Sequence, residues 1–304
     1  MTGSPLILLV ALLLDAVLGE PKWLWSRAPH PAVLMGNAVK WMDNTFNRGP
    51  ARRIKGSLSC AVLVLAAGGV GWVFSLHWVP EVLLTAVLLA QRSLVDHVRA
   101  VADALRFGVV PGRRSVAMIV GRDTAELTEP GIARAAIESA AENFGDGVVA
   151  PVFWFLVGGL PGLMIYKMTN TADSMIGYRT PRHLLFGWAS ARFDDVLNWV
   201  PARLTAVLIA ITHGVIGQWT AICRDAPLHR SPNAGWPEAA MAQSLDVALS
   251  GPRSYEGRMQ PFAFVHPEGQ HDIGPLQIVA AVRALWRSWA FMVALIGVLC
   301  LLTL

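Results

Sequence analysis

Charged residues are scarce in this sequence. They make up 15% of its 304 residues, whereas an ordinary soluble domain contains about 25%. Hydrophobic residues make up 54%, and the mean hydropathy is +0.47. This composition excludes a disordered chain and disfavours a purely soluble enzyme. It favours a protein with apolar segments that face lipid and with its polar residues gathered elsewhere.

Cysteine is also scarce, and several familiar motifs are absent. Cys60, Cys223 and Cys300 stand far apart and form no Cys-x-x-Cys pair, so neither a disulfide framework nor a zinc site is indicated. The sequence contains no GxxxxGK[ST], HExxH, GxSxG or GxGxxG motif, and the missing phosphate-binding loop disfavours a Walker-type ATPase. The net charge of +4 is too small to indicate a nucleic-acid partner.

Long apolar runs dominate what is present. They predict an all-α, polytopic integral membrane protein whose cytoplasmic helices and loops form the site, in one membrane-embedded domain over residues 1–304. No alternating apolar and polar run is long enough to predict a sheet. We interpret the first run as a retained short helix, because no basic residue precedes it and no A-x-A cleavage site follows. The apolar runs are 5–19, 58–76, 80–90, 147–168, 199–219 and 286–304.

The distribution of Lys and Arg predicts the orientation. Segment 20–57 carries seven basic residues and the link 77–81 carries none, so we expect the N-terminus outside and 20–57 and 91–146 in the cytoplasm. The run 147–168 contains the sequence GGLPG, which favours a break. This run either crosses once with a kink or dips into the membrane and returns.

Acidic residues stand at helical spacing beside the apolar runs. Glu138 and Glu142 are four positions apart and share one helix face. Two like charges at this spacing destabilise a helix by roughly 0.2–0.5 kcal/mol, and a cation between them would relieve the repulsion. Asp146 follows in the sequence ENFGDG. The alternative interpretation is a solvated helix face followed by an Asx turn.

Further polar groups occur downstream. Asn170 and Asp173 are followed by Arg179, and Asn233 stands in a turn before Glu238. Of the adjacent Asp194 and Asp195, at most one reaches a given ligand, because neighbouring residues on a helix point in different directions. Oxygen ligands without clustered Cys or His suit Mg²⁺ rather than zinc, and arginines bind phosphate or carboxylate. The combination resembles a magnesium–nucleotide site.

Six segments, in this order, resemble the CobD/CbiB family, the cobinamide-phosphate synthases of cobalamin biosynthesis. The likeness runs from about Asp15 to Gly257, and its one noted departure is Ala32, where we expect valine. No motif matches between about residue 260 and the last apolar run. The segments are HPAVLMG (30–36), GRDT (121–124), AAIESAAENFGDGVVAPVFW (135–154), YKMTNTADSMIGYR (166–179), ARFDDVLNWVPARL (191–204) and SPNAGWPEAAMA (231–242).

This resemblance implies an ATP-dependent amide ligase in the bacterial inner membrane, with its active site facing the cytoplasm. The family joins (R)-1-amino-2-propanol, or its O-phosphate, to the propionate f carboxylate of adenosylcobyric acid. It therefore implies Mg²⁺ and ATP, a corrinoid and aminopropanol phosphate as substrates, the lipid bilayer as surroundings and no nucleic acid. A transporter is disfavoured because nearly all ionisable residues lie in loops. A non-catalytic AmpE-like sensor is disfavoured because GRDT, ENFGDG, NTADS and SPNAGWPE are all present.

The residues and the resemblance together predict the site. The expected catalytic residues are Glu138, Glu142, Asp146 and Asp173, of which the first three are also the expected metal ligands. We expect the substrates and the nucleotide to contact His30, Arg122, Asp123, Asn143, Asn170, Arg179, Arg192, Asp195, Asn233 and Glu238.

A cytoplasmic nucleotide requires every catalytic segment to reach the same side of the membrane, including segment 169–198. We therefore predict that 147–168 forms two half-helices that enter and return, with the freed backbone groups buried in protein. By the same argument, we predict that 199–219 is bent at His213–Gly214 rather than being one plain span.

Overall fold

The computed structural model describes residues 4–255 and 257–303, and the fold is all-α, as the composition predicts. The helices are α1 (Pro5–Leu18), α2 (Lys22–Trp25), α3 (Pro31–Phe46), α4 (Arg52–Phe74), α5 (Trp78–Leu88), α6 (Gln91–Arg106), α7 (Val109–Val116), α8 (Glu129–Phe144), α9 (Ala150–Ile176), α10 (Trp188–Leu197), α11 (Trp199–Thr212), α12 (Trp219–Asp225), α13 (Gly235–Leu245) and α14 (Pro275–Thr303). A π-helical turn, Gly145–Val149, joins α8 to α9, and 3₁₀ turns cover Ile216–Gln218 and Ala226–Leu228.

Local sequence signals explain several helix starts. His30 precedes α3, and its Nδ1 accepts a hydrogen bond from the backbone N–H of Ala32, while Pro31 occupies the first turn. Thr128 caps α8 in the same way, with its hydroxyl accepting from the N–H of Gly131. Such caps satisfy N–H groups that have no partner inside the helix. Proline is tolerated there because it needs no such partner.

Both predicted breaks are confirmed. Gly159 interrupts α9 with φ 64° and ψ −159°, a conformation that only glycine adopts readily. The helix α11 ends at Thr212, and Gly214 has φ 71°, so the run 199–219 is broken where we expected. A further bend of 43° separates α10 from α11. The entry and return of 147–168 within a membrane stays a prediction.

Two boundaries differ from the sequence prediction. The sequence alone favours a helix that continues from the apolar run 80–90 through Gln91 to Arg106, but Leu89 is extended (ψ 156°) and separates α5 from α6. The last helix begins at Pro275 rather than near residue 286. The first part of this helix, residues 275–285, is also mostly apolar, and it buries Ile278, Ala281 and Leu285 inside the protein.

In the described part of the chain, short strands follow α13. Leu249–Ser250 (β1) pairs antiparallel with Phe264–Val265 (β4), and Arg253–Tyr255 (β2) pairs antiparallel with Arg258–Gln260 (β3). These strands are too short to show an alternating pattern in the sequence, which explains why none was predicted.

Several stretches have the length and composition of membrane spans. Among the described residues these are Arg52–Phe74, Trp78–Arg106, Glu129–Ile176 and Pro275–Thr303, with the bent pair α10–α11 as a fifth when it is counted as one span. Several apolar helices of this kind are typical of a multi-pass membrane protein.

The contacts divide the chain into two compact units. Unit 1 contains the described residues of Met1–Ala90, Asp146–Trp199 and Ile296–Leu304, and unit 2 those of Gln91–Gly145 and Val200–Leu295. In unit 1, α4 packs along α9, and a Cβ at Gly71 would come within 2.8 Å of Pro161, so only glycine permits this approach. In unit 2, α8 packs against α6, α7 and α13. The prediction of a single domain stays a prediction.

Candidate active site

The predicted site residues concentrate in two polar clusters, one within each unit. We name them the Glu138 cluster and the Asp194 cluster. The Glu138 cluster belongs to unit 2 and consists of Arg122, Glu138, His229, Glu238, Ser250 and Arg253. The Asp194 cluster belongs to unit 1 and consists of Asp146, Tyr166, Asn170, Asp194 and Asn198.

Glu138 is a buried carboxylate whose two oxygens are both engaged. Its Oε1 accepts a hydrogen bond from the backbone N–H of Ser250 at 2.7 Å. Its Oε2 accepts from Nη1 of Arg253 at 3.1 Å and from Nη2 of Arg122. Two guanidinium groups therefore neutralise a side chain that is only 5% exposed. These contacts do not favour the metal role predicted for Glu138.

The arginines of this cluster are held by the hairpin that β2 and β3 form. Arg253 opens β2 and donates from Nη2 to the Ser250 hydroxyl at 2.8 Å. Asp123 ties the same hairpin to the loop that carries Arg122. Its Oδ2 accepts from the Ser254 hydroxyl at 2.7 Å and from the N–H of Gly257 at 2.8 Å. These bonds give Asp123 an anchoring role, and its predicted contact with substrate stays a prediction.

Glu238 and His229 form the second half of the Glu138 cluster. Glu238 lies in the first turn of α13 and is 3% exposed. Nε2 of His229 lies 3.9 Å from Glu238 Oε2, and Nδ1 of His229 accepts a hydrogen bond from the N–H of Ser231 at 3.0 Å. A neutral His229 therefore carries its proton on Nε2.

Burial shifts both pKa values away from the charged forms. It raises the pKa of Glu238 well above its ordinary value, and the charge of Glu138 raises it further, while Arg253 opposes the shift. Burial and the charge of Arg253 lower the pKa of His229 to about 4. At neutral pH, His229 is uncharged and supplies no positive charge to Glu238.

Three other predicted residues of unit 2 have different surroundings. Glu142 and Asn143 are exposed on α8, and Asn143 donates to the carbonyl of Ser139 at 2.9 Å. Asn233 is buried, and its side-chain oxygen accepts from Nη1 of Arg203 at 3.4 Å. Glu142 thus keeps an accessible carboxylate, whereas Asn233 helps to shape the turn before α13.

The Asp194 cluster links α9, α10 and the π-helical turn. Nδ2 of Asn170 lies 3.3 Å from Asp146 Oδ2 and 3.4 Å from Asp194 Oδ1. Nδ2 of Asn198 donates to the other oxygen of Asp194 at 3.0 Å. The Tyr166 hydroxyl lies 3.0 Å from both Asn198 Oδ1 and the carbonyl of Asp146. Asp146 lies in the π turn, and turns of this kind are frequent at functional sites.

Asp194, rather than the predicted Asp195, is the aspartate that belongs to this cluster. Asp194 is 9% exposed and interacts with two amide side chains. Asp195 is half-buried and pairs with Arg192 at 3.4 Å. The sequence did contain a signal for this choice, because Asp194 and Asn198 are four positions apart and share a helix face.

The remaining predicted residues also belong to unit 1. Asp173 is partly buried on α9, one turn beyond Asn170, whereas Arg179 is exposed. The ring of His30 meets Trp25 edge-on, with centroids 4.5 Å apart, and burial lowers the pKa of His30. Because its Nδ1 caps α3, only Nε2 of His30 remains for a ligand, and this atom has no hydrogen-bond partner among the described residues.

The predicted metal ligands do not form one group in either unit. Glu138 and Glu142 belong to unit 2, and Asp146 belongs to unit 1. Among the described residues, no three His, Cys, Asp or Glu side chains stand close enough to hold a metal ion. Mg²⁺ in nucleotide sites binds to one or two carboxylates together with phosphates and water. The oxygens of Asp146 and Asp194 fit that pattern, so the Asp194 cluster is the more suitable place.

Sequence reasoning missed the residues that complete both clusters. Arg253, His229 and Ser250 lie far along the chain from Glu138, so no local spacing points to them. Tyr166 stands at the end of an apolar stretch, where a packed aromatic residue is the ordinary interpretation. Only the tertiary contacts identify these side chains as partners of the predicted carboxylates.

Comparison with known proteins identifies the family. The family model described as CobD/Cbib protein matches residues 8–285. The chain belongs to the CobD/CbiB family. The resemblance found in the sequence is therefore confirmed, and the matched range includes every predicted site residue.

Several proteins that carry a CobD name are similar to this chain over nearly their full length. The protein named cobalamin biosynthesis protein CobD in Rhizobium meliloti is 49% identical, with 94% of this chain and 94% of the relative covered. The protein of that name in Sinorhizobium fredii is 46% identical, with 97% of each covered. The one in Rhodobacter capsulatus is 44% identical, also with 97% of each covered. No solved structure matches this chain.

Proposed function

We propose that this chain is an ATP-dependent amide ligase of cobalamin biosynthesis. It joins 1-amino-2-propanol or its O-phosphate to the propionate f carboxylate of adenosylcobyric acid. The observation that carries the proposal is the family match over residues 8–285, which includes both polar clusters. Relatives covered almost end to end carry the name cobalamin biosynthesis protein CobD, which supports this pathway for the chain.

The reaction needs activation of the carboxylate, because a carboxylate and an ammonium ion do not condense unaided in water. A carboxylate oxygen attacks the γ-phosphorus of ATP, which forms an acyl phosphate and releases ADP. The amine nitrogen then attacks the acyl carbon, the new C–N bond forms and the C–O bond to phosphate breaks. The ammonium group gives one proton to a base before this attack, the nitrogen loses a second proton after the C–N bond forms, and phosphate leaves. The protein contributes position and charge.

The Asp194 cluster suits the metal-dependent part of this chemistry. We assign the metal–phosphate end to the Asp194 cluster, where Asp146 and Asp194 would hold Mg²⁺. When bound, this ion neutralises charge on the transferred phosphoryl group. Asp173 and the exposed Glu142 remain the candidate catalytic carboxylates. Glu138 and Arg122 stabilise the fold of unit 2 through their ion pair.

The apolar helices and the nucleotide together suggest the cellular location. We place the protein in the bacterial inner membrane as a multi-pass protein with the active site on the cytoplasmic side, since ATP is found there. Four stretches of the described chain have the length and composition of spans. The corrinoid and the amine would approach the same side.

A reconstituted assay tests the proposal. The purified protein in lipid nanodiscs receives adenosylcobyric acid, 1-amino-2-propanol or its O-phosphate, ATP and Mg²⁺. We expect a new amide by mass spectrometry and one ADP per product, and no product when ATP or the amine is omitted. Glu142→Gln should lower turnover at least tenfold, whereas Asp96→Asn, at an exposed ion pair with Arg92, should not.

Two outcomes would reject the ligase. One is the absence of amide under every condition with folded protein. The other is corrinoid binding or movement across vesicles without a new amide, as a sensor or a transporter would show.

A further inference from the structure

The Glu138 cluster contains two buried polar atoms that the fold leaves without a partner. Oε1 of Glu238 and Nε of Arg253 are both inaccessible, and neither has a hydrogen-bond partner among the described residues. The two side chains are 3% and 7% exposed. An unpaired buried polar group costs about 1–3 kcal/mol. Native proteins satisfy nearly all such groups, so an acceptor and a donor left together in one cluster need an explanation.

Glu238 also lacks a cation of its own within this cluster. The two guanidinium groups nearby, those of Arg122 and Arg253, are both bonded to Glu138. The nearest basic ring is His229, at 3.9 Å, and burial leaves it neutral because its pKa falls to about 4. Glu238 is therefore a buried carboxylate whose nearest basic ring, that of His229, carries no charge.

The cluster has an edge that reaches the surface of unit 2. Glu142 lies one helical turn beyond Glu138 on α8 and is exposed. Its charge acts on Glu238, as does that of Glu138. A cation bonded to Glu238 gains from the charges of Glu138 and Glu142, and the charges of Arg253 and Arg122 oppose it.

We infer that Glu238 binds the primary ammonium group of a small amino alcohol through Oε1, and that Arg253 Nε donates to an oxygen of the same ligand. The inference rests on the proposed function, and it assigns the amine substrate to the Glu138 cluster. An ammonium ion has three donors and a full charge, so it supplies both what Oε1 lacks and what His229 does not provide. The oxygen that Arg253 meets is the hydroxyl of the free amino alcohol or the phosphate of its ester.

Direct binding measures this subsite without turnover. The probes are 1-amino-2-propanol, its O-phosphate and 1,2-propanediol, in which a hydroxyl replaces the amine. We expect the wild-type protein in nanodiscs to bind at least one of the two amines and to melt at a higher temperature with it. We expect the diol to produce neither effect. Amine binding no tighter than diol binding would overturn the inference.

Variants of Glu238 separate recognition of the amine from other roles. Glu238→Gln keeps the shape and removes the carboxyl group that ionises beside a bound ammonium ion, so we expect at least a tenfold rise in Kd and KM for the amine. The KM values for ATP and cobyric acid should stay within twofold. Glu238→Asp keeps a carboxyl group on a side chain that is shorter by one methylene. The rise in Kd and KM for the amine should therefore be smaller than with Gln. A matched control is Glu81→Gln, which removes another buried glutamate from the first turn of a helix, α5 in unit 1.

The outcomes distinguish this inference from the proposed function. If the wild-type enzyme forms the amide but folded Glu238 variants keep the wild-type affinity for the amine, the amine subsite is wrong and the ligase stands. If no amide forms, the ligase is wrong, and the binding measurements still decide the subsite. If Glu238→Gln does not fold, Glu238→Asp and the wild-type melting shift decide it. An equal rise in KM for the amine, ATP and cobyric acid in the Glu238 variants would also overturn the inference.

Discussion

Oε1 of Glu138 accepts a hydrogen bond from the backbone N–H of Ser250 at 2.7 Å, although 112 positions separate the two residues. This contact joins the centre of α8 to β1. It also fixes the carboxylate so that its second oxygen faces the guanidinium groups of Arg122 and Arg253. Glu138 therefore links three distant segments of unit 2, which predicts a large effect on stability.

Replacing Glu138 should destabilise the protein. Glu138→Gln leaves two buried guanidinium groups without their carboxylate, and breaking a buried ion pair from one side costs about 3–5 kcal/mol. Thermal or denaturant unfolding in detergent measures the loss. The control Asp96→Asn removes an exposed pair with Arg92, which is worth roughly 0.2–1 kcal/mol. Equal unfolding midpoints for the two variants would contradict a stabilising role of Glu138.

The low pKa of His229 predicts a loss of stability in acid. Its pKa is about 4 in the folded protein and about 6.5 in an unfolded chain. Between these values the unfolded state binds more protons, so this contribution to the free energy of unfolding falls as pH falls from 6.5 to 4. The total change is about 3 kcal/mol.

Glu238 changes the stability with pH in the opposite direction from His229, so the measurement needs a control that separates the two. Because the pKa of Glu238 is raised in the folded protein, the folded state binds more protons than the unfolded state at pH values above the unfolded pKa. The contribution of Glu238 to the free energy of unfolding therefore falls as pH rises. At each pH, the free energy of unfolding of His229→Gln is subtracted from that of the wild type. The Glu238 contribution is present in both proteins, so this difference removes it to first order. We expect that difference to shrink from pH 6.5 to pH 4, and a difference that does not vary with pH would contradict the assignment.

Gly159 should not tolerate a side chain. Its φ of 64° and ψ of −159° break α9, and an L residue in this region costs about 1–3 kcal/mol. Gly159→Ala should therefore lower the melting temperature in detergent. Gly69→Ala in α4 is the matched control, because a Cβ there meets nothing within 4 Å and alanine favours a helix. If the Gly159 variant melts no lower than the Gly69 variant, the break is not required.

Removal of Mg²⁺ should stop the proposed ligation. We expect no product with excess EDTA and full recovery on addition of Mg²⁺. Asp146→Asn removes one charged oxygen donor from the Asp194 cluster, so half-maximal activity should require at least tenfold more Mg²⁺. Asp103→Asn, at an exposed pair with Arg106, should leave the requirement unchanged. An unaltered Mg²⁺ dependence in the Asp146 variant would place the metal elsewhere.

The side of the membrane on which segment 169–198 lies tests the one-sided active site. Thr180→Cys in a chain with Cys60, Cys223 and Cys300 replaced by alanine provides one thiol. In intact cells we expect no labelling by a membrane-impermeant thiol reagent, and labelling after the membrane is opened. Labelling in intact cells would place this segment outside, and a cytoplasmic site that includes Asp173 would then be wrong.

The sequence by itself determined the features that depend on local chemistry. Apolar runs indicated the helices that suit a membrane, because side-chain hydrophobicity acts residue by residue. Glycine and proline indicated the break at Gly159 and the bend at Gly214, because their backbone preferences are intrinsic. The family was recognisable for a related reason, since its motifs are short continuous segments whose order can be read directly.

Only the tertiary structure decided how the polar residues are paired. Glu138 and Glu142 have the same local spacing, yet Glu138 is buried beneath two arginines and Glu142 is exposed. Asp194 and Asp195 are neighbours, and the packing of α10 on α9 selected Asp194 for the cluster. The physical reason is that a side chain's partner is set by which distant segments the fold brings within hydrogen-bonding distance. The spacing of residues within α8 gives no sign that Ser250 and Arg253 lie next to Glu138.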